Sequence, residues 1–355
     1  NSGCSRALIE QRCFPFRLVD RTAKRPGFGF DVSLRELDLA EPIITVGITC
    51  YREGEWLREC WESVLAQTDD RWTAVLVIGN ADETTRAIFE EIQHPRLTKF
   101  AWTEDPGPHA SRDKAFELTQ TPYHFYLDAD DQLLPDAVKL TLEAFAQHPD
   151  AAFVYGDYER FGVEDSIKRF PRVYTQNDLA ERQCLPGACA YRVDAWKSVG
   201  GFAPELSYTN GDYDFHISLS EAGFVGKHCG SLFYRQRLGH PGQVSSSFYL
   251  KYHLAQEIIV RRHPQFFQKR SRRRRFLALG YRTAALANRS AKNHTEAARL
   301  AAIAIVYGCW RDAKLWRIAL QRFLPHRVLA LMRHARRIAG LRSRTSMGSH
   351  RQARK

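Results

Sequence analysis

Tyr123-His124-Phe125-Tyr126-Leu127-Asp128-Ala129-Asp130-Asp131 decides the fold, because an apolar run stops there at three carboxylates. Such a run, closed by a turn, predicts a buried strand, and ligands of open α/β sheets bind beyond the carboxyl ends of the strands. Asp128 and Asp130 lie two residues apart, and their oxygens suit Mg²⁺ or Mn²⁺ shared with substrate phosphates. Taken alone, the stretch is better explained by an Asx turn that ends a strand. Its neighbours change that balance.

Strand-like and helical patterns alternate on both sides of this stretch. The predicted strands cover residues 43–48, 72–78, 97–102, 123–128 and 152–155, and the predicted helices cover residues 55–67, 83–92, 110–118 and 136–146. This alternation predicts an α/β fold, a Rossmann-type, mostly parallel sheet flanked by helices with right-handed crossovers. After Gly156 the regularity fades, although a helix over 212–222 and a strand over 232–234 are still predicted.

Composition excludes several classes of protein. The 355 residues are 44% apolar and rich in aromatic side chains, which argues against a disordered chain. No run is long enough for a transmembrane helix, and the start of the sequence lacks the pattern of a signal peptide. The eight cysteines form no Cys-x-x-Cys pair, so a zinc site or a disulfide framework is not expected. We expect a cytoplasmic protein with reduced thiols, and the initial Asn1 suggests a fragment or a processed form.

Charge divides the chain into regions with different partners. Residues 261–355 contain 25 Lys and Arg against 2 Asp and Glu, whereas residues 1–260 contain 27 against 38. We expect an N-terminal extension over 1–41, a catalytic domain over 42–248 and a basic helical region over 249–355. The last region includes the Arg-rich run 270–275 and an amphipathic stretch, 315–341, that Pro325 divides into two helices.

The basic region has three interpretations. An anionic membrane surface and a solvated surface that closes over the catalytic core are about equally favoured. Nucleic acid ranks well behind, because the region lacks a recognisable reading motif. A membrane role would place the protein at the inner face of the plasma membrane.

Several segments, taken together and in order, resemble the family 2-type glycosyltransferases of the GT-A fold. They are Tyr51 with Glu53 after the first strand, Glu62-Ser63-Val64-Leu65-Ala66-Gln67-Thr68, Leu127-Asp128-Ala129-Asp130-Asp131, Gly200-Gly201-Phe202, Gly211-Asp212-Tyr213-Asp214, and Tyr234-Arg235 followed by Ser245. Each segment is weak evidence alone, and their ordered occurrence over residues 43–245 is specific.

The resemblance implies roles for individual residues. Asp130 would ligate Mn²⁺ or Mg²⁺ directly, while Asp128 would reach the ribose or the metal's water shell. Asp212 would be the base that activates the acceptor hydroxyl, and direct displacement by that hydroxyl inverts the anomeric centre. A helix cap is the competing role for Asp212. Asp214, facing away from Asp212 on the helix, is expected to be structural.

Other residues would bind the nucleotide-diphosphate sugar. The resemblance assigns Tyr51 and Glu53 to this role, and Arg112 to the diphosphate or the base. Ile78-Gly79 stands where the family usually carries Asp-Asp, of which the second reads uracil. This departure puts UDP in doubt, although Asn80 can hydrogen-bond a base.

Two further positions are ambiguous. Arg52 is about equally suited to a phosphate contact and to plain solvation. His240 is a candidate late metal contact, although a lone loop histidine is more often an ordinary surface residue.

The sequence therefore predicts an inverting, metal-dependent glycosyltransferase that builds an envelope or exported polysaccharide on a saccharide or lipid-linked acceptor. Transfer to a polyprenyl phosphate is a second hypothesis. A catalytically silent sugar- or nucleic-acid-binding protein is the third. The changes at Ile78-Gly79 favour silence, whereas the retained Asp128, Asp130 and Asp212 argue against it.

Overall fold

The computed structural model describes residues 40–239 and 248–320. Three predictions lie wholly or largely outside these residues: the N-terminal extension, the contact from His240, and the helix pair around Pro325. Ser245 and the part of the basic region beyond residue 320 also lie outside them, and the other predictions fall on described residues.

Within the described residues, nine strands form a single sheet, with helices that separate and follow them along the chain. The strands are β1 (Ile44–Cys50), β2 (Trp72–Ile78), β3 (Leu97–Ala101), β4 (Tyr123–Asp128), β5 (Gln132–Leu133), β6 (Ala151–Gly162), β7 (Ser166–Lys168), β8 (Ala190–Arg192) and β9 (Val225–Leu238). The helices are α1 (Glu55–Leu65), α2 (Glu83–Glu91), α3 (Pro108–Glu117), α4 (Ala137–Gln147), α5 (Gln176–Glu181), α6 (Val193–Val199), α7 (Gly211–Glu221), α8 (Tyr252–Arg262), α9 (Arg270–Ser290), α10 (His294–Ala304) and α11 (Ala313–Leu320).

The first half of the sheet is parallel. Its strands lie in the order β3-β2-β1-β4, and each neighbouring pair runs in the same direction. Every residue of β1 is buried, as expected for a parallel strand with both faces covered. Because parallel strands end at the same edge, the loops after β1, β2 and β4 meet there. The predicted α/β fold is confirmed.

The second half of the sheet mixes directions. The order continues from β4 through β8, β6 and β9 to β5, with β8 antiparallel to both β4 and β6. β6 and β9 pair in parallel along most of their length, interrupted by register shifts. β5 then pairs with β9 beside the carboxylate turn, and so brings the last strand to the ligand-binding edge.

The predicted strands of this half were too short. The 152–155 prediction covers a third of the twelve-residue β6, and 232–234 covers a small part of the fourteen-residue β9. Both strands continue into polar sequence, such as Asp157 to Arg160, whose pairing depends on partners far away in the chain. The hydrophobic pattern within each segment does not show which distant strand it pairs with.

Helices α8 and α9 pack directly on the α/β core. Ala255, Ile259, Phe267 and Phe276 belong to the main apolar cluster. A second cluster, which includes Leu277, Leu300 and Leu315, joins α9, α10 and α11. The division between domains at residue 248 stays a prediction. No helix in the described ranges is both long and apolar enough to cross a bilayer.

A buried ionic contact also joins α8 to the core. Asp214 of α7, 1% exposed at its side chain, accepts hydrogen bonds from Arg262 at 3.1 Å and lies 3.0 Å from Nε2 of His263. Nδ1 of His263 lies 2.6 Å from Glu221. Burial opposes the charge on His263, but the two carboxylates prevail and raise its pKa. Asp214 therefore has the structural role expected of it.

Candidate active site

Three carboxylates converge at the carboxyl end of β4. The turn is closed by the backbone N–H of Asp131, which donates to the carbonyl of Asp128 at 3.0 Å. As a result, one oxygen from each of Asp128, Asp130 and Asp131 lies within 4.8 Å of the other two. Oxygen ligands at this spacing fit a hard divalent cation.

Asp131 anchors this turn to β9. Its two carboxylate oxygens accept hydrogen bonds from the hydroxyl of Tyr234 at 2.8 Å and the backbone N–H of Arg237 at 2.7 Å. Burial, followed by the charges of Asp130 and Asp128, raises the pKa of Asp131. With both of its oxygens engaged, Asp131 positions the turn, and Asp128 and Asp130 remain the better ligands for a metal.

Arg237 is a cation beside this turn that the sequence did not reveal. Its Nε donates to the carbonyl of Asp130 at 3.0 Å, and another guanidinium nitrogen lies 2.5 Å from Glu59. The guanidinium also lies 4.5 Å from the ring centroid of Phe161. The sequence hinted at Arg237 only in that it follows the predicted strand 232–234 by three residues. That strand was predicted to end at Tyr234, before Arg237.

Arg112 connects the carboxylate turn to the rest of the site. The guanidinium lies 3.3 Å from Oδ1 of Asp128 and 4.3 Å from the ring centroid of Tyr126. Burial works against its charge, but Tyr126, Asp128 and Asp212 outweigh burial and raise the pKa of Arg112. It is therefore a permanent cation close to the predicted metal ligand and the predicted base.

Asp212 lies in the first turn of α7, partly exposed. Oδ1 accepts from the backbone N–H of Tyr213 at 2.9 Å, and Oδ2 accepts from Nε2 of Gln183 at 2.6 Å. Burial raises the pKa of Asp212, an effect that the charge of Arg112 opposes. Asn210 occupies the N-cap position of the helix, so capping does not explain Asp212. The sequence had not pointed to Gln183.

The approach of α7 to α3 depends on Gly211. A Cβ atom at this position would lie 1.6 Å from Nε2 of His109, a buried side chain stacked on Phe202 at 5.1 Å between ring centroids. Nδ1 of His109 accepts from Arg112 at 3.1 Å. Burial and then the charge of Arg112 lower the pKa of His109, which keeps it neutral. His109 thus contacts both Arg112 and the start of α7.

The glycine-rich loop before α7 is held by Asp113. Its Oδ1 accepts from Nε1 of Trp196 at 2.8 Å and from the backbone N–H of Phe202 at 3.2 Å. Gly201 has a φ of 77°, and a Cβ there would lie 2.6 Å from Asp113. Burial raises the pKa of Asp113 to about 6. The segment Gly200-Gly201-Phe202 is therefore fixed from within the fold.

The loops after β1 and β2 form the other side of the site. Glu53 accepts a hydrogen bond from the backbone N–H of Tyr51, and burial raises its pKa. Arg52 donates from Nε to the carbonyl of Asn80 at 3.2 Å and lies 4.9 Å from the ring centroid of Tyr51. Asn80 is exposed and left-handed, with a φ of 42°. Arg52 thus joins the two loops in this structure.

The predicted site residues fall into two neighbouring groups. Asp128, Asp130, Arg112 and Asp212 interact directly or through their charges. Tyr51, Glu53 and Asn80 occupy adjoining loops at the same edge of the sheet, and the charges of Asp130 and Asp128 contribute to the raised pKa of Glu53.

Comparison with known proteins accounts for this arrangement. Residues 45–197 match the family model described as Glycosyl transferase family 2. Residues 45–197 therefore have the sequence of a family 2 glycosyltransferase domain. A chondroitin synthase of Escherichia coli is 29% identical over 203 residues, which cover 56% of this chain and 29% of that protein. TuaG of Bacillus subtilis, a glycosyltransferase assigned to teichuronic acid biosynthesis, is 24% identical over 191 residues, covering 52% of this chain and 75% of TuaG.

The fold of the glycosyltransferase domain also has solved counterparts. The S. aureus TarS fragment 1–349, crystallised with UDP-GlcNAc, superposes with a TM-score of 0.57 at 13% identity, covering 73% of this chain and 83% of that one. This similarity shows a shared fold. The matches to the chondroitin synthases of E. coli and Pasteurella multocida span only 29% and 21% of those proteins.

Proposed function

We propose that this protein is an inverting, metal-dependent glycosyltransferase that moves a sugar from a nucleoside diphosphate donor to a saccharide or lipid-linked saccharide. The observation that carries this proposal is the position of Arg112 between two acidic groups. Its guanidinium contacts Asp128. The charge of Asp212 is one of the influences that raise the pKa of Arg112 against the effect of burial. A donor sugar would lie at such a place with its leaving diphosphate on the Asp128 side and the acceptor hydroxyl on the Asp212 side.

The carboxylate turn is the donor end of the proposed site. Asp128 and Asp130 would hold Mn²⁺ or Mg²⁺, which when bound would neutralise charge that develops on the leaving diphosphate. Arg112 adds a fixed positive charge that is partly shielded from water, where electrostatic interactions are stronger. Anchoring of the turn by Asp131 keeps both ligands in place.

Asp212 is the acceptor end of the proposed site. A hydroxyl is a poor nucleophile, and a carboxylate that accepts its proton during attack assists the displacement. Burial raises the pKa of Asp212 and so makes it a stronger base than an exposed aspartate. Direct attack on the side of the sugar opposite the diphosphate would invert the anomeric centre.

The relatives support an acceptor from a surface polysaccharide. Those relatives are named for chondroitin and teichuronic acid, both of them polysaccharides. We place the enzyme at the cytoplasmic face of a membrane, where such polymers are assembled from activated sugars. The nucleotide base is left to experiment, because Ile78-Gly79-Asn80 replaces the family's usual uracil contact.

Calorimetric titration with UDP, GDP, dTDP and CDP, each with Mn²⁺, tests the donor site. We expect one nucleotide to bind the wild type and to lose at least about tenfold in affinity in Asp130→Ala, since charge stabilisation by the metal is removed. Asp165→Ala, which removes an exposed carboxylate from the β6–β7 turn, is the matched control. If none of the four nucleotides binds the wild type, the proposed function is wrong.

A further inference from the structure

We propose that an exposed face of the C-terminal helices docks onto an anionic phospholipid membrane. We call it the Trp310 face, and it consists of Val306, Trp310, Trp316 and Leu320, bordered by Arg273, Arg274, Arg311 and Lys314. The inference rests on the proposed function only in that it gives a membrane-located enzyme its contact surface.

Side-chain contacts make this face continuous. Nε1 of Trp316 donates to the backbone carbonyl of Trp310 at 2.7 Å, which places the indole of Trp316 beside the backbone of Trp310. Leu320 follows Trp316 by one helical turn on α11 and therefore extends the same side. A guanidinium nitrogen of Arg274, from the start of α9, donates to the carbonyl of Val306 at 2.8 Å. The Arg-rich run and the apolar residues are thus neighbours in space.

The apolar part of the face is strongly exposed. Val306 is 74% exposed, Trp310 58%, Trp316 44% and Leu320 43%. On the opposite side of α11, Leu315 and Ile318 are buried against the other helices. A helix at the surface of a soluble protein normally has one apolar side, which faces the core. A second, outward apolar side that includes two tryptophans indicates a contact surface.

The positive charge around the Trp310 face indicates what kind of surface it binds. Residues 261–320 contain 15 Lys and Arg against 2 Asp and Glu. Both acids are already paired, Glu296 with Arg299 at 2.6 Å and Asp312 with Arg282 at 2.8 Å. Arg262 and Arg275 pair with acids outside this range, Asp214 and Glu181. The cations that border the Trp310 face, Arg273, Arg274, Arg311 and Lys314, are exposed to solvent, and an acidic surface is their natural complement.

The combination of tryptophan and arginine favours a membrane over nucleic acid. Indole rings prefer the boundary between headgroups and acyl chains, and each cation near an anionic bilayer strengthens binding. The guanidinium of Arg311 lies 4.5 Å from the ring centroid of Trp310, so a cation and an aromatic ring are adjacent on the Trp310 face. A surface that binds phosphate alone has no use for exposed valine and leucine.

Co-sedimentation of the full chain with vesicles tests this inference. We expect the wild type to pellet with vesicles of phosphatidylcholine and phosphatidylglycerol, and not with phosphatidylcholine alone. Trp310→Ser combined with Trp316→Ser should weaken partitioning at least about tenfold, through loss of buried apolar area. Arg273→Glu combined with Arg274→Glu should abolish the preference for anionic lipid. Val173→Ser and Arg86→Glu, exposed changes elsewhere, should bind like the wild type.

Three results would overturn the inference. They are unchanged partitioning of the double variants, tight binding of the wild type to nucleic acid without binding to vesicles, and self-association through the tryptophans in place of lipid binding. Thermal melting confirms that each variant is folded, and calorimetric nucleotide binding with Mn²⁺ is expected to be unchanged. Loss of nucleotide binding by the wild type would instead overturn the proposed function, so the two failures are distinguishable.

Discussion

The side-chain amide of Gln183 donates a 2.6 Å hydrogen bond to Oδ2 of Asp212. The other oxygen of Asp212 accepts from the backbone of Tyr213, so both oxygens have defined partners. Gly187 packs against the same carboxylate, where an added Cβ would lie 3.0 Å from Oδ2. The loop between α5 and β8 therefore fixes the orientation of the proposed base.

Asp212→Asn is expected to lower kcat by about 10²–10⁴-fold, because the amide cannot accept the proton of the acceptor hydroxyl. Nucleotide binding with Mn²⁺ should persist, since the carboxylate turn is unchanged. Steady-state transfer assays and calorimetry check the two parts separately. Wild-type turnover in this variant would remove Asp212 from the mechanism.

Gln183→Ala is expected to lower kcat by about tenfold, the effect of one hydrogen bond to a charged group. An N–H donor favours the ionised carboxylate, so its loss should raise the pKa of Asp212 further. The acidic limb of the pH–rate profile should then move to higher pH. Gln176→Ala, which removes a glutamine amide bonded to the carbonyl of Ser220, is the control. A lower kcat with an unmoved pH profile would mean that Gln183 is merely structural.

Asp113→Asn is expected to change how stability depends on pH. Burial raises the pKa of Asp113 to about 6, from an ordinary value near 4. The folded state therefore binds more protons than the unfolded state between these values, and wild-type stability falls as pH rises through this window. The amide does not titrate, so the variant should gain stability relative to wild type between about pH 4 and pH 7. Urea unfolding at both ends of the window measures this gain, and an offset independent of pH would contradict it.

Asp214→Ala is expected to cost about 3–5 kcal/mol in the free energy of unfolding, because it leaves Arg262 and His263 without their buried partner. Asp194→Ala, which breaks an exposed pair with Arg192, should cost less than about 1 kcal/mol. Urea denaturation of both variants provides the comparison. Similar costs would show that the buried contact does not hold α8 to α7.

His263 adds a second pH dependence of stability, which arises from neighbouring carboxylates, whereas that of Asp113 arises from burial. Its pKa is raised in the folded state, so its contribution to stability is complete below its ordinary value and declines as pH rises through the raised one. His263→Gln should therefore narrow the difference in unfolding free energy between mildly acidic and alkaline solution. An unchanged difference would show that the histidine is not charged in the fold.

The sequence predicted the parts of the fold whose signals are local. The strand that ends at Asp128 and the helix that begins beside Asp212 were within a residue of the observed limits, because an apolar run and a glycine mark them. The parallel first half followed from alternation alone. The full lengths of β6 and β9 could not be predicted in this way, because their polar residues are held in strands by the pairing of β6 with β9.

The same distinction holds within the site. Asp128, Asp130 and Asp212 were recognisable from short motifs, whereas Gln183, His109 and Arg237 were not. Each of the latter acts on a residue at least 29 positions away, and the fold alone brings them together. Asp131 was visible as the third carboxylate, but its anchoring role depends on Tyr234 and Arg237 of β9.

The contact between Gly211 and His109 has a consequence for the evolution of this chain. The imidazole occupies the volume that any side chain at 211 would need. A mutation to a larger residue at 211 is therefore tolerated only after position 109 has become smaller, and the order of these two steps is fixed. Across orthologues the two positions should vary as a pair, with the histidine found only where glycine has been kept.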